Sequence, residues 1–320
     1  NRKYSVTKFA TSQSRKTLAV IVQNQRQNRK IKMKNALKHI LTIILILNIS
    51  NSFAQSQIRE KKIVINNDTL SYYDKGKGKT TLLFIHGSFV NKEYWKNQIQ
   101  FFSKKYRVIA LDFAGHGNST HNRNNWTIQE FGNDITQIIT KLSLKRVILI
   151  GHSVGADIAL ETASQNNPAI IGIVGIDYFK NTGFALPENV IEQVITNLKT
   201  DFRKTNEQYV NQALVTQKTN QGIKDRILSD FKSMNPNIGI AMNESFLHYS
   251  KRETDLLKKN RYKLYLLNAD YSPTNTNSLK NIVGDNYELN LMNGTSHYSM
   301  IENPEKFNSE LQKIIRQITR

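Results

Sequence analysis

One serine, Ser153, lies in a five-residue pattern that could support nucleophilic chemistry. The pattern is Gly151-His152-Ser153-Val154-Gly155, and it directly follows a short apolar run. A G-x-S-x-G pattern between a strand and a helix is typical of a sharp turn that exposes the serine hydroxyl. Such a turn strains the serine backbone, and the glycines remove side chains that would collide as the helix packs back. The pattern therefore predicts that Ser153 is a nucleophile.

This turn needs a strand before it and a helix after it, and both types of element recur along the chain. The inner predicted strands are almost continuously apolar, as expected of parallel strands that are covered on both faces. The predicted strands are Lys62–Asn66, Ser71–Asp74, Thr80–Ile85, Arg107–Leu111, Arg146–Ile150, Ile170–Ile176, Lys263–Leu267 and Tyr287–Leu291. The predicted helices between them are Tyr94–Phe102, Thr127–Leu142, Val154–Ser164, Leu279–Val283 and Pro304–Ile318. This alternation predicts an α/β fold with a mostly parallel eight-stranded sheet and helices on both faces.

Two stretches depart from the regular alternation. The first two strands are joined by Asn66-Asn67-Asp68, a hairpin-like connection, so the sheet is expected to begin antiparallel. Residues 179–260 contain no convincing strand and are too long for an ordinary connection. Helical patterns in this stretch cover Glu188–Phe202, Gln221–Phe231 and Ala241–Leu257. We expect residues 179–260 to form a helical cap over the ends of the strands.

Five sequence blocks in order make residues from about 62 to 318 resemble a capped, single-domain α/β-hydrolase of the serine hydrolase type. The blocks are FIHGS at 84–88, LDFAGHGNS at 111–119, GHSVG at 151–155, NAD at 268–270 and GTSHY at 294–298. The last block continues to Glu302 and Pro304, which is similar to the ending of the family's histidine motif. This resemblance implies a Ser-His-Asp triad that needs no metal and no cofactor.

The resemblance also implies the partners of Ser153. A serine hydroxyl needs a base, and His297, in the loop between the last strand and the last helix, is the best candidate. Two aspartates compete for the acid that orients this histidine. Asp270 follows the seventh strand, the usual position, and Asp177 follows the sixth, a position that some members use. We expect Asp270 to be the acid, with Asp177 as the alternative.

An oxyanion hole requires two backbone N–H groups near the nucleophile. The resemblance assigns these donors to Val154 and Ser88, with Phe89 as an alternative second donor. Phe89 is also expected to border the substrate pocket.

The N-terminal segment has a composition of its own. Residues 1–54 contain 11 Lys and Arg and no acidic residue. From Met33 onward, a basic start, an apolar run of about ten residues and a small-x-small site ending at Ala54 predict a secretory signal peptide at 33–54. The run is shorter than the roughly 20 residues that span a bilayer. We expect cleavage after Ala54, no stable membrane span afterwards, and a periplasmic or extracellular protein. Residues 1–32 are interpreted as an over-extended or non-native segment, and residues 55–320 as the α/β-hydrolase domain.

Charge and cysteine content narrow the functional classes. The chain has 320 residues, 45 Lys and Arg, 25 Asp and Glu, and a formal net charge of +20. Beyond residue 54 the net charge is only +9, without a basic block, so nucleic acid is not an expected partner. With no cysteine, the chain can form no disulfide, thiolate metal site or thiol nucleophile.

Together these features predict an exported serine hydrolase that cleaves an ester, thioester or lactone of a small apolar substrate. The alternatives are a ligand-binding receptor on a hydrolase fold, a carbon–carbon bond hydrolase, an aminopeptidase, or a cofactor-free peroxidase.

Overall fold

The computed structural model describes residues 58–320, together with Met33, Lys34 and Lys38 of the N-terminal segment. Residues from Ile58 to Arg320 form one compact unit. The rest of the predicted signal peptide at 33–54, and the segment 1–32, lie outside the described residues. Within the described part of the chain, no helix combines the length and the apolar character needed to cross a lipid bilayer.

Eight strands form a single sheet. They are β1 (Glu60–Ile65), β2 (Asp68–Lys75), β3 (Thr81–Ile85), β4 (Arg107–Leu111), β5 (Val147–His152), β6 (Ile170–Ile176), β7 (Leu264–Ala269) and β8 (Tyr287–Met292). The order across the sheet is β1-β2-β4-β3-β5-β6-β7-β8. Strand β2 pairs antiparallel with both neighbours, and all other pairs are parallel. The predicted hairpin and mostly parallel sheet are confirmed.

Helices follow most of the strands. Those outside the predicted cap are α1 (Lys96–Phe102), preceded by a 3₁₀ turn at Lys92–Trp95, then α2 (Ile128–Lys141), α3 (Val154–Ser164), α9 (Thr276–Val283), α10 (Ser299–Glu302) and α11 (Pro304–Ile318). Thr127 begins α2 as predicted, because its hydroxyl accepts the N–H of Glu130 at 3.3 Å. Every residue of β3 and β5 is buried, so the core lies around the middle of the sheet.

The segment between β6 and β7 is helical, and we call it the cap. Its helices are α4 (Glu188–Thr200), α5 (Phe202–Tyr209), a π-helical turn at Val210–Leu214, α6 (Gln221–Ser233), α7 (Pro236–Leu247) and α8 (Ser250–Lys259). The prediction of one helix over Ala241–Leu257 is wrong, because the chain turns between α7 and α8. At that turn the ring of His248 bonds the carbonyl of Glu244 at 2.8 Å and ends α7.

Candidate active site

The turn between β5 and α3 has the geometry that its glycines predict. Ser153 has φ 54° and ψ −132°, a left-handed conformation that is strained for a residue with a side chain. A Cβ on Gly151 would lie 2.2 Å from the carbonyl oxygen of Gly155, and a Cβ on Gly155 would lie 2.5 Å from that of His86. Only glycine therefore allows α3 to pack back across β5 and hold Ser153 at the end of the strand.

His297 is paired with a buried carboxylate. Its Nδ1 lies 2.6 Å from Oδ2 of Asp177, which follows β6 with φ 48°. Because Nδ1–H donates to Asp177, Nε2 is the ring nitrogen left to accept a proton. Ser153 and His297 line the same two cavities. The three side chains thus form an arrangement suited to activating a serine hydroxyl.

The expectation that Asp270 is the acid partner of His297 is wrong in this structure. Asp270 is exposed, and its Oδ1 accepts the N–H of Gly294 at 2.8 Å, so it braces the loop that leads to His297. Asp177 occupies the partner position instead. Its left-handed backbone turns the carboxylate toward the end of β7, where the N–H of Ala269 donates to Oδ1 at 2.8 Å.

Several donors keep Asp177 ionised. Lys180 Nζ lies 2.7 Å from Oδ1, and the hydroxyl of Tyr271 donates to Oδ2 at 3.2 Å. Burial alone would raise the pKa of Asp177, but the hydrogen bond and charge of His297 and the charge of Lys180 outweigh burial and hold the pKa at about 2. Asp177 is therefore a carboxylate throughout the neutral range and can accept the Nδ1–H of His297.

The His297 loop is fixed from three sides. The N–H of the preceding Ser296 donates to Glu302 at 2.6 Å, and the N–H of His297 donates to the carbonyl of Leu214 in the cap at 3.3 Å. On the sheet side, Nε2 of His152 lies 2.9 Å from the carbonyl oxygen of His297. Burial, and then the neighbouring His297, lower the pKa of His152 to about 3, so His152 is neutral and donates through Nε2–H.

The loop after β3 brings a backbone donor close to Ser153. A Cβ on Gly87 would lie 3.0 Å from Cβ of Ser153, so this loop passes directly beside that serine. His86 anchors the loop, since its Nδ1 lies 2.8 Å from the carbonyl oxygen of Gly87 and its Nε2 accepts the N–H of Phe113 at 3.2 Å. Ser88 lines a small cavity together with Ser153 and His297.

Val154, the other expected donor, is the first residue of α3, and its N–H has no acceptor within that helix. Ser88 and Val154 thus both lie near Ser153, and their N–H groups stay the predicted donors of an oxyanion hole. The small cavity beside them measures about 20 Å³, which is enough for one water-sized group.

The main cavity lies between the strand ends and the cap and has a volume of about 320 Å³. It is lined by Ser153, His297 and Asp177, and by aromatic and polar side chains of the cap and the β6–α4 loop, among them Tyr178, Phe184, Phe246, Tyr249 and Glu253. Among the described residues, no group of three or more histidine and acidic side chains is arranged to hold a metal ion.

Phe89 does not have the expected position at the pocket. It is buried with φ 60°, and its ring packs against Phe231 and Phe202 of the cap, with centroid distances of 5.2 and 5.8 Å. It is not among the described residues that line either cavity at Ser153. Phe89 therefore joins the cap to the loop after β3, which corrects its prediction as a substrate contact.

Sequence reasoning missed four polar residues at the site. Lys180 and Tyr271 hold Asp177, while Asp157 and Glu253 line the main cavity. Of these four residues, only Asp157 could have been identified from its spacing in the sequence. It stands four residues after Ser153 in a helix and therefore on the same helical face as the start of the helix.

Comparisons with known proteins agree with this architecture. Residues 80–303 match the profile of the α/β-hydrolase fold family. A hydrolase of (E)-2-((N-methylformamido)methylene)succinate from Acinetobacter baylyi is 42% identical over 91 residues, which are 28% of this chain and 34% of that protein. The chain thus matches only about a third of the length of this curated relative.

Solved structures match over a longer stretch at lower identity. A bromoperoxidase from Bacillus anthracis superposes with a TM-score of 0.70 at 19% identity, covering 81% of this chain and 100% of the other. A thermophilic esterase from Thermogutta terrifontis, with malate bound, gives 0.69 at 18% identity, covering 81% and 99%. At such low sequence identity, the superpositions show only that the fold is shared. With the family profile spanning most of the sheet and the site, the chain belongs to the α/β-hydrolase fold family.

Proposed function

We propose that this protein is a serine hydrolase that cleaves an ester, thioester or lactone through an acyl-enzyme. The observation that carries the proposal is the 2.6 Å contact between His297 Nδ1 and Asp177, beside a strained Ser153 that lines the same cavities. The family membership and the hydrolase from Acinetobacter baylyi among the relatives support hydrolysis as the broader reaction class.

In the proposed acylation, Ser153 Oγ attacks the acyl carbon while its proton passes to Nε2 of His297. The negative charge on the carbonyl oxygen is stabilised by the N–H groups of Ser88 and Val154. When the intermediate collapses, the bond from the acyl carbon to the leaving oxygen or sulfur breaks, and His297 protonates the leaving group.

Deacylation repeats the sequence with water. His297 takes a proton from the water as its oxygen attacks the acyl carbon. The bond to Ser153 then breaks, the proton returns to Oγ, and the carboxylic acid leaves. Asp177 stays ionised throughout and stabilises the imidazolium each time it forms.

Two measurements test this proposal on the purified protein. We expect a fluorophosphonate probe to label Ser153, and p-nitrophenyl esters of short acids to be turned over. Ser153→Ala should lose both properties while keeping its circular dichroism spectrum and melting temperature. Labelling without turnover would instead support the alternative of a receptor on a hydrolase fold, and absence of labelling would contradict both.

We also propose that the protein is exported with cleavage after Ala54. N-terminal sequencing of the protein purified from its native host tests this proposal. We expect a mature chain that begins at Gln55, and a chain that retains residues 1–32 would refute it.

A further inference from the structure

Two buried carboxylic acids line the main cavity and play no part in the proposed triad. Asp157 lies one turn into α3, four residues after Ser153, and Glu253 lies in the cap helix α8. Their exposed fractions are 1% and 9%. Since both line the cavity that contains Ser153 and His297, any ligand that fills this cavity meets them.

Asp157 can satisfy both of its carboxyl oxygens only while a proton is shared with Glu253. The hydroxyl of Tyr178 donates to Oδ2 at 2.5 Å, whereas Oδ1 is buried and accepts no hydrogen bond from an amide, hydroxyl or cationic group. Asp157 also hydrogen-bonds with Glu253, which requires that one of the two carboxyls keeps a proton. A buried carboxylate oxygen that depends on a retained proton is costly to ionise and calls for a structural or functional explanation.

No cation within residues 58–320 forms an ion pair with Asp157 or Glu253, because the neighbouring ones are engaged elsewhere. Arg252 binds Glu161 at 2.5 Å, with Tyr249 donating to the same carboxylate at 2.7 Å. Lys180 binds Asp177 and also donates to the carbonyls of Ala269 and Ser272, each at 3.1 Å. Among the described residues that line the main cavity, there is thus an acidic pair but no lysine or arginine that is free to receive an anion.

The charge of Glu253 disfavours ionisation of Asp157, whereas a hydrogen bond with Asp157 lowers the pKa of Glu253. Burial, and then the charge of Glu253, raise the pKa of Asp157 well above its usual range. Burial raises the pKa of Glu253 to about 7. Without a cation in the cavity, the Asp157–Glu253 pair thus retains a proton near neutral pH. A cationic ligand would offset the repulsion between the two negative charges and favour the ionised carboxyls. The aromatic rings of Tyr178, Phe246 and Tyr249 line the same cavity, and aromatic faces attract cations.

We propose that the substrate of this hydrolase carries a protonated primary amine, which binds between Asp157 and Glu253 while its acyl carbon lies at Ser153. The inference rests on the proposed hydrolase function and narrows its substrate class to amine-bearing acyl compounds. The ammonium donates to the two carboxyls in place of the proton that they share, and Oδ1 of Asp157 then accepts from the ligand.

Ligand binding tests this inference without turnover. The Ser153→Ala variant is titrated calorimetrically at pH 7.5 with n-pentylamine, 1-pentanol and pentanoate, which share a chain length and differ in charge. We expect pentylamine to bind at least about tenfold more tightly than pentanol, as a charged hydrogen bond predicts, and pentanoate to bind most weakly. Adding Asp157→Asn or Glu253→Gln should reduce the preference for the amine to less than about threefold. Glu192→Gln, an exposed change on α4, is the matched control and should leave the preference intact.

Several outcomes would overturn the inference. These are equal binding of amine and alcohol, tighter binding of pentanoate, or a preference for the amine that survives both substitutions. Circular dichroism checks that each variant is folded, and Glu253→Gln carries the test if Asp157→Asn does not fold. Because binding is measured on a protein without the nucleophile, a failure of the hydrolase proposal appears separately, as absent ester turnover by the unmodified protein.

Discussion

The assignment of the acid can be tested by neutralising each aspartate in turn. Asp177→Asn preserves the shape of the side chain but removes the charge that faces His297 at 2.6 Å. Asp270→Asn makes the same chemical change at an exposed side chain that accepts the N–H of Gly294. The two variants therefore form a matched pair.

The expected magnitudes follow from burial. The side chain of Asp177 is 1% exposed, and breaking a buried ion pair by removing one charge costs about 3–5 kcal/mol. The full pair forms only when His297 is protonated, so this loss falls on the transition state. At about 1.4 kcal/mol per tenfold change in rate, kcat should fall by about 10²–10⁴. Asp270→Asn changes a surface interaction, for which an effect within about 0.5 kcal/mol predicts less than about a threefold change.

The assay is the hydrolysis of p-nitrophenyl butyrate, with kcat and KM measured across a range of pH. For Asp177→Asn we expect a loss in kcat with little change in KM and an altered pH profile, which a merely structural role would not produce. Melting temperatures of both variants serve as the folding control. The assignment is refuted if Asp270→Asn lowers kcat as much as Asp177→Asn does.

Three further predictions follow from contacts and burial at and near the site. Gly155→Ala should lower the free energy of unfolding by about 3 kcal/mol in urea denaturation, because its Cβ would lie 2.5 Å from a backbone carbonyl oxygen. Gly222→Ala is the control, since the nearest atom to its Cβ would be Oδ1 of Asn220 at 3.3 Å, and it should not destabilise the protein. Tyr271→Phe should lower kcat about threefold to tenfold, since it removes one hydrogen bond to Asp177; an unchanged kcat would contradict the proposed support. Burial raises the pKa of Glu253 from 4.5 to about 7, so the folded chain keeps a proton that the unfolded chain loses, and stability should fall as pH rises through this window. Glu253→Gln should therefore gain up to about 3 kcal/mol over the unmodified protein between pH 4.5 and 8 in urea denaturation, and a gain that does not depend on pH would contradict the raised pKa.

The elements that fix Ser153 could be predicted from sequence because their signals are local. The apolar run before Gly151 and the small residues after it encode a strand, a turn and a helix within about twenty residues. The inner strands, β3 to β7, were predictable for the same reason, since buried parallel strands are nearly continuous apolar runs.

The acid could not be ranked from sequence because Asp177 and Asp270 follow neighbouring parallel strands, β6 and β7, at the same edge of the sheet. The choice depends on backbone direction after each strand. Asp177 takes a left-handed conformation that lets its carboxylate accept an N–H at the end of β7, whereas Asp270 points to the N–H of Gly294. Neither of these two hydrogen bonds corresponds to a recognisable pattern in the sequence.

The cavity acids were missed because their meaning depends on the tertiary packing of the cap. In the sequence, Glu253 is one of several charged residues on an amphipathic helix. Only the packing of α8 near α3 shows that Glu253 is buried together with Asp157. The turn at His248 that separates α7 from α8 was missed for a different reason. It is short and contains no glycine or proline that would predict a helix end.

The hydrogen bond from the N–H of His297 to the carbonyl of Leu214 joins the proposed base directly to the π-helical turn of the cap. Ala213 and Leu214 of the same turn line the main cavity. The shape of the cavity and the position of His297 therefore depend on one short segment. We expect a substitution that loosens this turn, far from Ser153 in sequence, to change both at once.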